Sequence, residues 1–259
     1  MKEFRANDGQ VGGPFEDARL LLLTTTGARS GRPHTTILGY YPDGDRTLVV
    51  GSAGGSPKHP DWYHNLLARP VATVETGLFT YPAKAVVLRG PERDDVFGRL
   101  VEANAGWGDY QTRTTRVIPV VALVPEPGLP GGGGSLADML VRIHLSFRRE
   151  LALIRKEVAA SGTLGAQLRV NCLTMCQGLH YHHTGESTGL FPGIVAQHPE
   201  LSELIAALNA EHEQIAVLLK ELEQLVSTPA PDLLTKVDRL IALLTAHLDR
   251  EEAELLPHL

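Results

Sequence analysis

Pro125-Glu-Pro-Gly-Leu-Pro-Gly-Gly-Gly-Gly-Ser135 separates two unlike kinds of sequence. Three prolines and five glycines in eleven residues support neither a helix nor an inner strand, so the stretch reads as a linker. On one side, residues 1–127 carry 14 basic and 14 acidic side chains, three histidines and eleven of the fourteen aromatics. On the other, residues 136–259 carry 10 basic and 16 acidic side chains and eight of the eleven histidines. The net charge of −6 therefore belongs to the second part alone. The expected organisation is a domain over 1–127, a linker over 128–135 and a domain over 136–259, each long enough to bury a core.

Composition excludes several classes. At 43% hydrophobic and 21% charged, the chain is neither disordered nor collagen-like. Its mild acidity lacks the basic footprint of a nucleic-acid binder. No apolar stretch is long enough to cross a bilayer, and Met1-Lys-Glu-Phe-Arg leads into no hydrophobic core. A cytoplasmic protein without membrane or secretory segments is the expectation. Two cysteines, Cys172 and Cys176, cannot staple a chain of this size and are expected as buried thiols.

The first domain alternates short β-rich runs with turns. Leu20-Leu-Leu-Leu-Thr-Thr-Thr26 ends at Gly27, and Thr35-Thr-Ile-Leu-Gly-Tyr-Tyr41 enters the turn Pro42-Asp-Gly-Asp45 before Thr47-Leu-Val-Val50. These read as a strand and a hairpin. Further strands are expected over 71–75, 83–88 and 117–124, with helices over 61–68 and 92–103. Many short strands with Gly/Pro punctuation predict a small β-barrel. The second domain shows four amphipathic segments, roughly 136–160, 164–186, 200–227 and 231–256. Leu136, Leu140, Ile143 and Phe147 illustrate the three-and-four spacing. Four such helices with short connections predict an all-α four-helix bundle.

One pattern occurs twice in that bundle. His182-His-Thr-Gly-Glu186 precedes Leu190-Phe-Pro192, and His247-Leu-Asp-Arg-Glu251 precedes Leu255-Leu-Pro257 at the same offset. Each pattern has one further helix upstream, with His144 before the first and His212 before the second. A His and a Glu four residues apart share a helix face about 6 Å apart along the axis, so both can reach one metal. A single pair would ordinarily be a solvated surface pair worth a few tenths of a kcal/mol, about. Its duplication with matching partners favours metal binding instead. Mixed imidazole and carboxylate donors suit iron, and bundles house dinuclear carboxylate sites.

On these residues, 136–259 resembles the hemerythrin-like family, the His-His-Glu cation-binding domain. The resemblance implies a non-haem diiron centre with His144, His182, Glu186, His212, His247 and Glu251 as ligands. Oxygen-carrying members have another histidine one turn after the third-helix ligand, where this chain has Ala216. One imidazole fewer would leave an open position favouring oxygen activation over carriage. His183 and His180 are the alternatives for a replacement ligand. His183 points about 100° away from His182 on an ideal helix.

In the first domain, Thr24-Thr-Thr-Gly-Ala-Arg-Ser-Gly31 is a strand entering a glycine turn with an arginine, a chemistry suited to phosphate. Gly51-Ser-Ala-Gly-Gly-Ser56 is a small-residue loop leading to Pro60-Asp-Trp-Tyr-His-Asn-Leu66. Together with Phe4-Arg-Ala-Asn and Tyr110-Gln-Thr-Arg-Thr-Thr-Arg-Val-Ile-Pro119, these stretches resemble the deazaflavin-dependent nitroreductase family over residues 3–127. The resemblance implies a split β-barrel that binds the reduced deazaflavin F420, with another flavin as a substitute. It implies cofactor binding by Arg29, Ser30, Ser52, Gly54 and Gly55, with Trp62 and Tyr63 nearby and Tyr110 as the catalytic, substrate-side tyrosine. His34 and Ala53 stand where members often carry basic residues, and packing in the core is the competing role for Trp62.

The expected function is an oxidoreductase coupling F420H2 in the barrel to oxygen chemistry at two irons in the bundle. O2 and a small organic substrate would be its partners, with a homodimer formed through the barrel. The alternatives are a non-catalytic sensor or carrier of O2, NO or iron, and a plain F420-dependent nitro or quinone reductase with an accessory metal bundle.

Overall fold

A computed structural model describes residues 1–126, 135–161, 165–226 and 232–259. It divides into two compact units. The expected linker, 128–135, lies outside the described residues except for Ser135.

The first unit carries α1 (Lys2–Ala6), β1 (Leu20–Thr26), β2 (Pro33–Asp43), β3 (Arg46–Val50), α2 (Asp61–Ala68), β4 (Val71–Glu75), β5 (Thr80–Val87), α3 (Gly90–Ala103), α4 (Gly106–Thr112) and β6 (Val120–Pro125). The strands close into an antiparallel barrel in the order β1-β2-β3-β6-β5-β4, sealed where Leu23 pairs with Val74. The hairpin turn over 42–45 forms as its sequence predicts, with Gly44 at φ +65°.

Strand alternation explains the core. Leu21, Leu23, Val49, Val74, Val121 and Leu123 point inward and pack with Trp62 and Leu66 of α2. On β1, β3 and β6 the opposite face is apolar too, unlike that of a half-exposed sheet. Leu20 and Leu22 bury against Phe4 of α1, while Leu48, Val50, Val120 and Ala122 bury against Val96, Phe97 and Leu100 of α3. The unbroken leucine run of β1 therefore has both faces covered. Strand β6 begins later than the sequence pattern predicts, because the 117–119 segment turns back: Ile118 donates its N–H to Gln111 and its carbonyl accepts from Arg93.

The second unit carries α5 (Leu136–Ser161), α6 (Ala166–Gly185) from Asn171 onward, a π-helical segment (Glu186–Leu190), α7 (Phe191–Gln197), α8 (Ser202–Val226) and α9 (Leu233–Glu254). The four long helices form the expected bundle. The segment after Glu186, expected as a connection, instead stays helical through the π turn and α7 before a short turn at Pro199–Leu201. Phe191, Ile194, Ile205, Leu208 and Leu255 form a buried cluster around α7, which makes this segment part of the core. Cys172 and Cys176 are both buried, and burial pushes the Cys176 thiol well up, so that thiol is not poised as a nucleophile. Among the described residues no helix is long and apolar enough to cross a membrane.

Leu123 is fully buried inside the barrel. Leu123→Ala is expected to lower barrel stability by about 2–5 kcal/mol through lost contacts and a residual cavity. Urea unfolding followed by the Trp62 and Trp107 fluorescence of that unit measures it.

Candidate functional site

The inner face of the bundle gathers seven buried or nearly buried donors in two groups. His144, His182, Glu186 and Glu251 form one and His183, His212 and His247 the other, with donor atoms inside each group no more than 4.8 Å apart. All six side chains expected as ligands are in these groups, and His183 joins them. His180, by contrast, lies exposed.

The arrangement follows from the duplicated pattern. The first copy supplies His144, His182 and Glu186 to one group and lends His183 to the other. The second supplies His212 and His247 and lends Glu251. Both glutamates face both groups. Glu186 directs Oε1 to His182 Nε2 at 3.4 Å and Oε2 to His212 Nε2 at 3.6 Å. Glu251 directs Oε2 to His144 Nε2 at 3.3 Å and Oε1 to His247 Nε2 at 3.6 Å. Each carboxylate thus directs one oxygen to either donor group.

The donor atoms also fit a metal by what they lack. Nε2 of His144, His182 and His183 and all four oxygens of Glu186 and Glu251 are buried without a hydrogen-bond partner. Unpartnered buried polar atoms are rare in folded proteins and costly, and metal bound in the two groups would satisfy them. Burial and the neighbouring imidazoles push His182 and His183 down to about 3 and about 2, and burial followed by His247 brings His212 to about 3. These rings are neutral, the form that ligates metals. Burial, then the Glu251 carboxylate, pushes the Glu186 carboxyl well up. Phe147 and Phe191 pack against His182 and His212 and help hold the rings in place.

The sequence offers His183 only as an alternative ligand beside His180. Successive residues on a helix diverge by about 100°, which counts against two adjacent ligands to one ion. With two ions side by side, the same divergence lets His182 serve one group and His183 the other. His183 lies stacked on His212, with ring centroids 4.1 Å apart and planes 12° apart. It places an imidazole in this donor group, which Ala216 cannot do. The π turn begins at Glu186 and places Ser187 Oγ 2.9 Å from His212 Nδ1. A hydroxyl both donates and accepts, so Ser187 suits either tautomer of that ring.

On the barrel, the two expected cofactor-binding stretches are tied into one framework. Buried Asn65 of α2 accepts from the Ala28 N–H at 2.8 Å and donates to Thr25 Oγ1 at 3.0 Å, fixing the glycine turn. Arg29 and Ser30 are exposed on that turn, and Ser30 Oγ lies 3.1 Å from His34 Nε2. In the small-residue loop, Ala53, Gly54 and Gly55 all take positive φ, +47°, +63° and +81°. A Cβ on Gly55 would sit 2.8 Å from Arg113 Cβ and 2.9 Å from the Tyr110 carbonyl, so glycine allows the loop to close on α4. Arg116 holds the loop from below, donating to the carbonyls of Gly51, Ser52 and Ser56 and contacting His59 Nδ1. Tyr63 is half-buried beside His59, whereas Trp62 is in the barrel core. Tyr110 meets Trp107 edge-on and lies under the Arg113 guanidinium.

Residues 1–125 match the family model described as F420H(2)-dependent quinone reductase. F420H2-dependent quinone reductases from two strains of Mycobacterium tuberculosis are 42% identical to this chain over 124 residues, covering 46% of it and 83% of each relative. The chain belongs to the F420H2-dependent quinone reductase family. Residues 135–259 match the model described as hemerythrin HHE cation binding domain, so this reductase-family chain also carries a hemerythrin domain. A solved F420-H2 dependent reductase, FDR-A, is 39% identical, covers 40% of this chain and 93% of its own, and superposes with a TM-score of 0.38.

Two outcomes follow for the metal centre. Because the Glu186 carboxyl holds its proton at neutral pH in the metal-free protein, metal uptake must displace it, and affinity should climb as pH rises. Calorimetry of Fe(II) binding in buffers of different ionisation enthalpy reads the proton release; none would contradict this account. His183→Ala should lower the iron bound per chain, while His180→Ala leaves it unchanged. Metal analysis after desalting compares them.

Proposed function

We propose that this chain is a two-electron oxidoreductase in which the barrel takes F420H2 and the bundle holds a diiron centre that handles oxygen. The observation that carries the reading is the convergence of five imidazoles on two carboxylates that face both groups, with all four carboxylate oxygens and three of the ring nitrogens left without a partner. When bound, the deazaflavin would supply a hydride and the iron pair a redox-active site for oxygen. His144 and His182 would hold one ion and His183, His212 and His247 the other, with Glu186 and Glu251 shared between them.

On the barrel, the Arg29 guanidinium and the backbone amides of the positive-φ loop suit the anionic tail of a cofactor. Tyr63 offers a flat face, and Tyr110 would position an acceptor beside it. Asn65 and Arg116 fix the two stretches rather than touch a ligand. Quinones are the first acceptors to assay, since relatives are named for them.

A second reading has its own support. With His183 in the set, five imidazoles face two carboxylates, a nitrogen-rich donor set that also suits reversible binding of O2 or NO by a sensor or carrier.

F420H2 oxidation under air, in iron-loaded and metal-free protein, separates the readings. Oxygen-dependent turnover should require iron and fall at least about tenfold in His182→Ala and Glu251→Ala, while anaerobic quinone reduction persists in both. Equal rates under air without iron would remove the coupling and leave a quinone reductase. A reversible spectral change on oxygenation without turnover would favour the sensor or carrier.

A further inference from the structure

Two of the centre's histidines are backed from outside by a carboxylate that an arginine holds in place. His144 Nδ1 lies 3.0 Å from Glu252 Oε1, to which Arg148 Nη1 donates at 2.6 Å. His247 Nδ1 lies 2.8 Å from Glu211 Oε2, while Arg250 Nη1 donates to the other oxygen at 2.8 Å. The histidines are fully buried or nearly so, whereas Glu252 and Glu211 are 29% and 30% exposed at the rim. Each arrangement crosses a helix boundary, α5 to α9 in one case and α8 to α9 in the other.

We propose that Glu211 and Glu252 are positioning residues that fix the tautomer and donor strength of one histidine for each metal ion, an inference that rests on the diiron reading above. An arginine-paired carboxylate can only accept, so the imidazole must donate from Nδ1. Nε2 is then left as a lone pair, and it is this atom that faces the inner carboxylate Glu251 in both cases. The outer carboxylate also makes the ring more electron-rich, which strengthens its hold on a metal and favours the higher oxidation state.

The distribution is informative. One backed histidine falls in each donor group, although the two glutamates occupy unrelated positions in the repeated pattern: Glu252 directly follows the ligand Glu251, and Glu211 directly precedes the ligand His212. The repeat alone does not produce this symmetry. By contrast His212 is backed by the Ser187 hydroxyl, which fixes neither tautomer nor charge.

Glu211→Gln and Glu252→Gln keep the shape and a hydrogen-bond acceptor but remove the charge. Asp249→Asn and Glu254→Gln remove a charge from the same neighbourhood, where these carboxylates pair with Arg148 and Arg250. Full-length protein is loaded with iron, and metal affinity, visible absorption and midpoint potential are measured. The melting temperature of each metal-free variant reports any packing cost separately.

The first two variants should bind iron about 10–100-fold more weakly. Their potential should rise, by about 59 mV for each tenfold loss confined to the oxidised state in a one-electron step. The Asp249 and Glu254 variants should match the wild type. Equal shifts in all four would mean a general charge effect and overturn the positioning role, as would unchanged affinity and potential in the first two. If the wild type itself takes up no iron, the diiron reading falls and this inference falls with it.

Discussion

Two carboxylates, Glu186 and Glu251, lie side by side in the bundle interior with no hydrogen-bond donor on any of their oxygens. Removing even one such anion from water costs several kcal/mol, and their mutual repulsion adds to it. A stable fold that tolerates this needs positive charge at that point or must keep a proton there. His182, His183 and His212, held neutral by burial, cannot supply the charge. The rest of the bundle is arranged around this constraint. Four long helices deliver neutral donors inward, aromatic rings wall the donors, and arginine-held carboxylates stand at the rim.

Much of this was legible in the sequence because period and chemistry agree there. A His and a Glu at four-residue spacing, repeated with matching leucine and proline offsets, leaves few explanations other than a shared inner face. The barrel was legible for a similar reason, with β-rich runs punctuated by turn residues. What stayed hidden depends on pairings across the fold. His183 looked misdirected because an ideal helix gives neighbouring residues divergent directions, which becomes an advantage only when two ions are present. The π turn has no composition of its own; Glu186-Ser-Thr-Gly-Leu190 reads equally as a helix end. The partners of His144 and His247 lie more than thirty residues away in sequence, out of reach of any local pattern.

Proposed chemistry and electron count agree across the two units. A deazaflavin hydride carries two electrons, and a pair of irons can take up or release two, one at each ion. The barrel and the bundle would then be matched in stoichiometry, and the choice between reductase, oxidase and sensor becomes a question of whether electrons pass between them.

Arg116 gives the barrel a property that its glycines would not suggest. Small-residue loops ordinarily lose much freedom when a ligand arrives, and that loss weakens binding. Here three backbone carbonyls and an imidazole are already gathered on one guanidinium, so the ordering occurs during folding. An incoming anion would meet a preorganised cradle, and its affinity would reflect contacts formed rather than disorder removed.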